Sequence, residues 1–230
     1  MFAIPDINQL MMQAVAIIPA LTFHEYAHAW AAYRAGDETA YRMGRLSLNP
    51  LVHLDPLGTI MLFFGPIGWA KPVPINPANF RRPRRDDIIV SLAGVTTNAL
   101  LAILWTLVLG VFLWLGSTQG TSAAAAGNEV NRFVSVMQEV AFWGMFINIA
   151  LAVFNLIPIP PLDGSHVLGH ILKGQAALRY AQLTRFGPIL LIAFVIFNMQ
   201  THILIDLILF IVKPLMSLAR TVAELALRTF

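Results

Sequence analysis

The chain has 230 residues, 57% of them hydrophobic and 12% charged, and a mean hydropathy of +0.70, which excludes an ordinary soluble domain and indicates an integral membrane protein. The formal net charge of +3 and pI near 9.6 do not point to nucleic acid, because the Lys and Arg lie at the ends of apolar runs and in short loops, where topology determinants sit. There is no cysteine, so disulfides and thiolate metal sites are excluded.

Met1–Asp6 lacks the basic region and cleavage site of a signal peptide, so the first apolar segment is expected to stay in the mature protein. That segment predicts a span over Ile7 to Tyr33, bent at Pro19. Between Leu10 and Tyr33 the one formal charge is Glu25, inside the sequence Phe23-His24-Glu25-Tyr26-Ala27-His28. On a helix His24 and His28 are four apart and share a face, so both imidazoles can reach one zinc ion. Glu25 stands on the neighbouring edge, where a carboxylate can take a proton from an activated water. His24 lies ten residues before Arg34, or about 15 Å along the axis, which puts the motif at membrane depth. Three ionisable groups at that depth are costly to keep without a function. Two histidines leave the metal short of ligands, and a third must come from elsewhere in the chain.

Arg34 to Asp55 reads as a polar connection. Pro56 to Gly65 is apolar but too short to span, and predicts a re-entrant element. Gly65 to Pro77 is too rich in proline for helix and predicts extended or hairpin structure. The basic cluster Arg81–Arg85 reads as a topology signal at the start of a second span, Asp87 to Leu115. In that span Ser91, Gly94 and Thr97 suit close helix packing, whereas Asn98 carries a buried amide that needs partners.

A third span, Val136 to Ile157, leads into Asn155-Leu156-Ile157-Pro158-Ile159-Pro160-Pro161-Leu162-Asp163-Gly164. The prolines must break the helix, and Asp163 just beyond them is the candidate third zinc ligand. His166 and His170 form a second i, i+4 pair, a rival site without a glutamate beside it. Phe186 to Val212 reads as one tilted span or as two short helices broken near Asn198–His202. Residues 34–85 carry eight Lys and Arg and residues 173–185 carry three, against one in residues 116–135, so the first two groups are expected on the cytoplasmic side. The fold expected is an all-α polytopic membrane protein with about four to six transmembrane helices and a re-entrant, β-hairpin-like segment, in a single membrane-embedded domain over residues 1–230.

Phe23–His28, the glycine-bearing stretch Gly65–Pro77, Ser91–Asn98 and Asn155–Gly164 together resemble the site-2 protease family of intramembrane zinc metalloproteases, in its compact form without PDZ or CBS domains. Val95 stands where that family usually places proline, while Asn98 keeps its spacing. The resemblance implies one zinc per chain held by His24, His28 and Asp163, with Glu25 as general base and Asn98 assisting at the oxyanion. It implies that Gly65, Gly68, Trp69 and Asn155 help bind a transmembrane segment of a membrane-protein substrate within the lipid bilayer. A bacterial inner membrane, with the active site toward the cytoplasm, is the expected location. A membrane metal-ion carrier and a catalytically silent binder of membrane proteins are the alternative functions.

Overall fold

A computed structural model of the chain describes residues 7–64, 69–118 and 129–229. The apolar run that carries the histidines forms α1 (Ile7–Ala35), a helix that continues through Pro19. Gly36, at φ 109°, ends it. The Gly36 N–H donates to Tyr33 O at 3.1 Å and the Asp37 N–H to Ala32 O at 2.9 Å, the paired bonds that a left-handed residue after a helix makes possible.

Short elements follow: α2 (Thr39–Arg42), a 3-10 turn at Pro50–Val52, α3 (Pro56–Phe64) and a 3-10 turn at Pro77–Asn79. The long helix α4 (Pro83–Thr118) starts on proline, whose fixed φ suits a first helical position. Asp86 reaches back to accept the Arg82 N–H at 2.8 Å. After α5 (Glu129–Asn155) the prolines impose a break, and α6 (Asp163–Ile171), α7 (Gly174–Thr184), α8 (Gly187–Thr201) and α9 (Ile203–Thr229) complete the described chain.

The described residues divide into two units. One takes in Ile18–Asn98 and Leu151–Leu204. Its apolar clusters use small residues of α1: Ala31 and Ala32 pack with Phe80 and Val90, and Ala29 packs with Ala40 and Val73. Alanine there lets neighbouring backbone approach the helix. The other unit takes in the residues up to Ile17, Ala99–Ala150 and the residues from Ile205 onward. Its core joins Leu109 of α4, Ala141 of α5 and Ala219 of α9, flanked by Trp105 and Phe142. A Cβ on Gly110 would come within 2.8 Å of Ala219 O, so α4 and α9 approach there more closely than any side chain at that position permits.

Two polar side chains tie the loops of the first unit together. Asp37, fully buried, accepts from Thr39 N at 3.1 Å, Thr39 Oγ1 at 2.5 Å, Asn76 N at 2.7 Å and Asn79 Nδ2 at 2.8 Å. Arg45, also buried, donates through Nη2 to Lys71 O at 2.6 Å and Pro72 O at 3.2 Å. The Lys71 N–H donates to His53 O at 2.8 Å. Residues 71–76 are thereby held extended by side chains and by the chain around His53.

Two expectations are corrected. The count of four to six transmembrane helices is too high. Among the described residues, α4 and α5 are long and apolar enough to cross a membrane, and α7 with α8, bent by 84° at their break, add a third if taken as one span. α1 carries Gln13, His24, Glu25, His28 and Arg34, and α9 carries Asp206, Lys213, Arg220, Glu224 and Arg228; these polar groups lower their apolarity. The 15 residues of α8 rise only about 22 Å, short of a hydrocarbon core of about 30 Å.

Nor does a β-hairpin form among the described residues: no strand occurs there, and the one pairing is an isolated antiparallel bridge between Leu54 and Ala70, residues 65–68 lying outside the described chain. Pro72, Pro74 and Pro77 have no N–H to extend it into a ladder. The apolar stretch from Pro56 is the nine-residue helix α3. Of the alternatives for Phe186 to Val212, the chain takes two helices. His202, at φ 56°, caps α8 with its N–H on Asn198 O at 2.8 Å.

Candidate metal centre

The α1 spacing places His24, Glu25 and His28 in the interior, 5%, 9% and 7% exposed. Each imidazole is oriented through Nδ1 by α4. The Nδ1 of His24 lies 2.5 Å from Asn98 Oδ1, and Asn98 Nδ2 donates to Ala20 O at 3.3 Å. The amide nitrogen is thus directed to a carbonyl, Oδ1 is the acceptor, and His24 carries its proton on Nδ1. The Nδ1–H of His28 donates to Val90 O at 2.8 Å. Both Nε2 atoms therefore present lone pairs.

Those two lone pairs face each other at 3.0 Å. Asp163 joins them from the first turn of α6, with Oδ2 at 3.3 Å from His24 Nε2 and 3.2 Å from His28 Nε2. With the Nδ1 side of both neutral imidazoles committed elsewhere, the Nε2 atoms are left as acceptors toward Asp163 Oδ2, which is buried without a hydrogen-bond donor of its own. Three electron-rich atoms converging in this way repel one another unless a proton or a metal ion lies between them. The separations suit zinc: tetrahedral bonds of about 2.0–2.1 Å place ligand atoms roughly 3.3 Å apart. Among the described residues His24, His28 and Asp163 are the one His/Cys/Asp/Glu cluster that could hold a metal ion.

Gly94 of α4 shapes the same space. A Cβ there would lie 2.5 Å from His24 Cε1 and 2.5 Å from His28 Nε2. Gly164, next to Asp163, comes equally close to the chain just after α5: a Cβ would meet Leu156 O at 2.2 Å.

Glu25 Oε2 accepts the Val73 N–H at 3.0 Å, so the extended segment 71–76 fixes one oxygen of the carboxylate. Asn98 is fully buried and touches His24 directly. Asn155, the last residue of α5, donates through Nδ2 to Leu151 O at 3.0 Å within its own helix. Trp69 is 44% exposed; Gly65 and Gly68 lie outside the described residues. The rival pair does not join the centre: His170 Nε2 and His166 Nδ1 lie 2.6 and 3.4 Å from Asp87 Oδ2.

The sequence reading missed Val90, Gly94 and Asp87 as parts of this arrangement. With Asn98 they recur along α4 at intervals of three, four and four residues, one face of the helix. That periodicity was the available signal, once the face is asked what it meets.

Residues 12–197 match the family model for peptidase family M50. The chain is 33% identical over 190 residues to YwhC of Bacillus subtilis, provisionally named a zinc metalloprotease, covering 83% of this chain and 82% of YwhC. It is 29% identical over 182 residues to Rip2 of Mycolicibacterium smegmatis, similarly named, covering 77% of this chain and 63% of Rip2. It is 26% identical over 170 residues to MJ0611 of Methanocaldococcus jannaschii, again so named, covering 73% of this chain and 75% of that protein. No solved structure matches the chain.

Proposed function

This chain belongs to peptidase family M50, and from that premise we propose how its residues cleave a peptide bond in or beside a transmembrane segment of another protein. It is an intramembrane zinc metalloprotease, and the observation that carries the reading is the convergence of His24 Nε2, His28 Nε2 and Asp163 Oδ2 on one point. Zinc, when bound by these three, would supply Lewis acidity toward the scissile carbonyl and lower the pKa of a water to near neutrality.

The protein's part is to hold atoms and move a proton. Asn98 and Val90 O fix the imidazoles in the tautomer that directs Nε2 inward. Asn98 acts through His24, as a positioning residue. Glu25 takes the proton from the attacking water and delivers it to the leaving nitrogen. The Val73 N–H holds one of its oxygens, which leaves the other to serve as base.

A helical substrate hides its carbonyls and must unwind before it can be cut. The eight Lys and Arg within residues 34–85 orient the site toward the cytoplasmic side of a bacterial inner membrane.

The test is Glu25→Gln in detergent-purified protein, assayed with a transmembrane peptide. Zinc content should match wild type while cleavage falls by at least 10³-fold, within the range of general acid–base catalysis combined with lost nucleophile activation. Cleavage at the wild-type rate would refute the assignment.

A further inference from the structure

Asp163 is delivered to the metal by a short helix that has to be aimed. The nine residues of α6 are too few to hold a helix by propensity alone, and α6 follows a proline-broken segment. Along one face of it, at i, i+3 and i+7, stand Asp163, His166 and His170. The first meets the α1 histidines. The other two meet Asp87, 12% exposed, on the first turns of α4.

Asp87 Oδ2 accepts from His170 Nε2 at 2.6 Å and, more weakly, from His166 Nδ1 at 3.4 Å. Arg84, three residues before Asp87, donates through Nη2 to His170 O. The contacts keep register. From His170 back to Asp163 is seven residues, and from Asp87 on to Gly94, which abuts both metal-binding imidazoles, is also seven. Each step is about 10.5 Å of helix, so two helices running in opposite directions meet at two matched levels, one a polar clamp and the other the metal centre.

We propose that Asp87 is a positioning residue for the metal. By clamping the His166/His170 face of α6 against α4, it sets where the Asp163 carboxylate stands relative to His24 and His28. It touches neither metal nor substrate. The assignment rests on the zinc reading of the His24/His28/Asp163 cluster.

The experiment is zinc affinity by chelator competition, together with the visible spectrum of the cobalt-loaded protein, on wild type and on Asp87→Ala, Asp87→Asn, His170→Ala and Asp163→Ala. Asp87→Ala should weaken zinc about tenfold or more, in line with the loss of partners that orient metal ligands, and shift the cobalt spectrum toward that of Asp163→Ala. Asp87→Asn, which keeps an acceptor for His170, should recover most of the affinity and spectrum. His170→Ala, cutting the clamp from its more exposed side, should reproduce Asp87→Ala even if that variant fails to fold. Wild-type affinity and spectrum in both alanine variants of the clamp would overturn the proposal while leaving the zinc reading intact. Absence of zinc from wild type would overturn both.

Discussion

Asn98 Oδ1 accepts the Nδ1 proton of His24 at 2.5 Å, across 74 positions of sequence. The bond decides which nitrogen of His24 faces Asp163, so it acts on the metal without touching it. Replacing Asn98 by Ala frees the ring to rotate or change tautomer. Zinc affinity should fall about 10–100-fold, measured by chelator competition, with the cobalt-loaded protein reporting an altered spectrum. Unchanged affinity would mean that packing alone orients His24.

Gly94 gives a prediction whose sign separates two effects. Glycine within a helix costs about 1 kcal/mol relative to alanine, so Gly94→Ala would stabilise an otherwise indifferent position. Here the added Cβ meets His24 Cε1 and His28 Nε2 at 2.5 Å, in the space the ligands occupy. The variant should lose zinc and cleavage together while remaining folded. Retained zinc, with a raised melting temperature, would show that the imidazoles yield at no cost.

What was legible in the sequence follows from locality. His24, Glu25 and His28 lie within five residues on one helix, and the prolines before Asp163 announce a break with a carboxylate behind it, so the candidate cluster that the fold brings together could be read without it. The groups that orient it could not. Val90 contributes a backbone carbonyl, which any residue would supply. Gly94 looks like a packing glycine until the imidazoles beside it are seen, and Asp87 looks like the polar start of a span until α6 is placed against it. The span count failed for a related reason: length and apolar content mark α4 and α5, but α1 and α9 carry too many polar groups to qualify alongside them.

Arg45 tests whether the extended segment governs the base rather than the metal. Its Nη2 holds the carbonyls of Lys71 and Pro72, and the next residue, Val73, holds Glu25. Arg45→Met leaves both carbonyls without their donor and loosens the Val73 N–H. The expected outcome is a lower kcat, by roughly ten- to a hundredfold for a misplaced general base, with zinc affinity unchanged. Loss of zinc in the same variant would mean that the segment supports α1 as a whole.

Asp37 carries the pH prediction. Burial pushes its pKa up, but hydrogen bonds from the Thr39 hydroxyl, the Asn76 N–H, the Asn79 amide and the Thr39 N–H outweigh it and hold the carboxyl below its ordinary value. Because the folded pKa is the lower one, folding favours the ionised form. The contribution to stability is complete above the unfolded value of about 3.9 and is lost as pH falls through the folded value. Every neighbour of Asp37 in this set is a donor, so protonation and an Asp37→Asn substitution do the same thing: each sets a donor against donors. Asp37→Asn should lower the melting temperature in detergent at pH 7. The gap from wild type should stay constant down to about pH 5 and close as the medium is acidified further. A gap that persists undiminished at the lowest pH the wild type survives would show that Asp37 holds the loops through shape rather than through its charge.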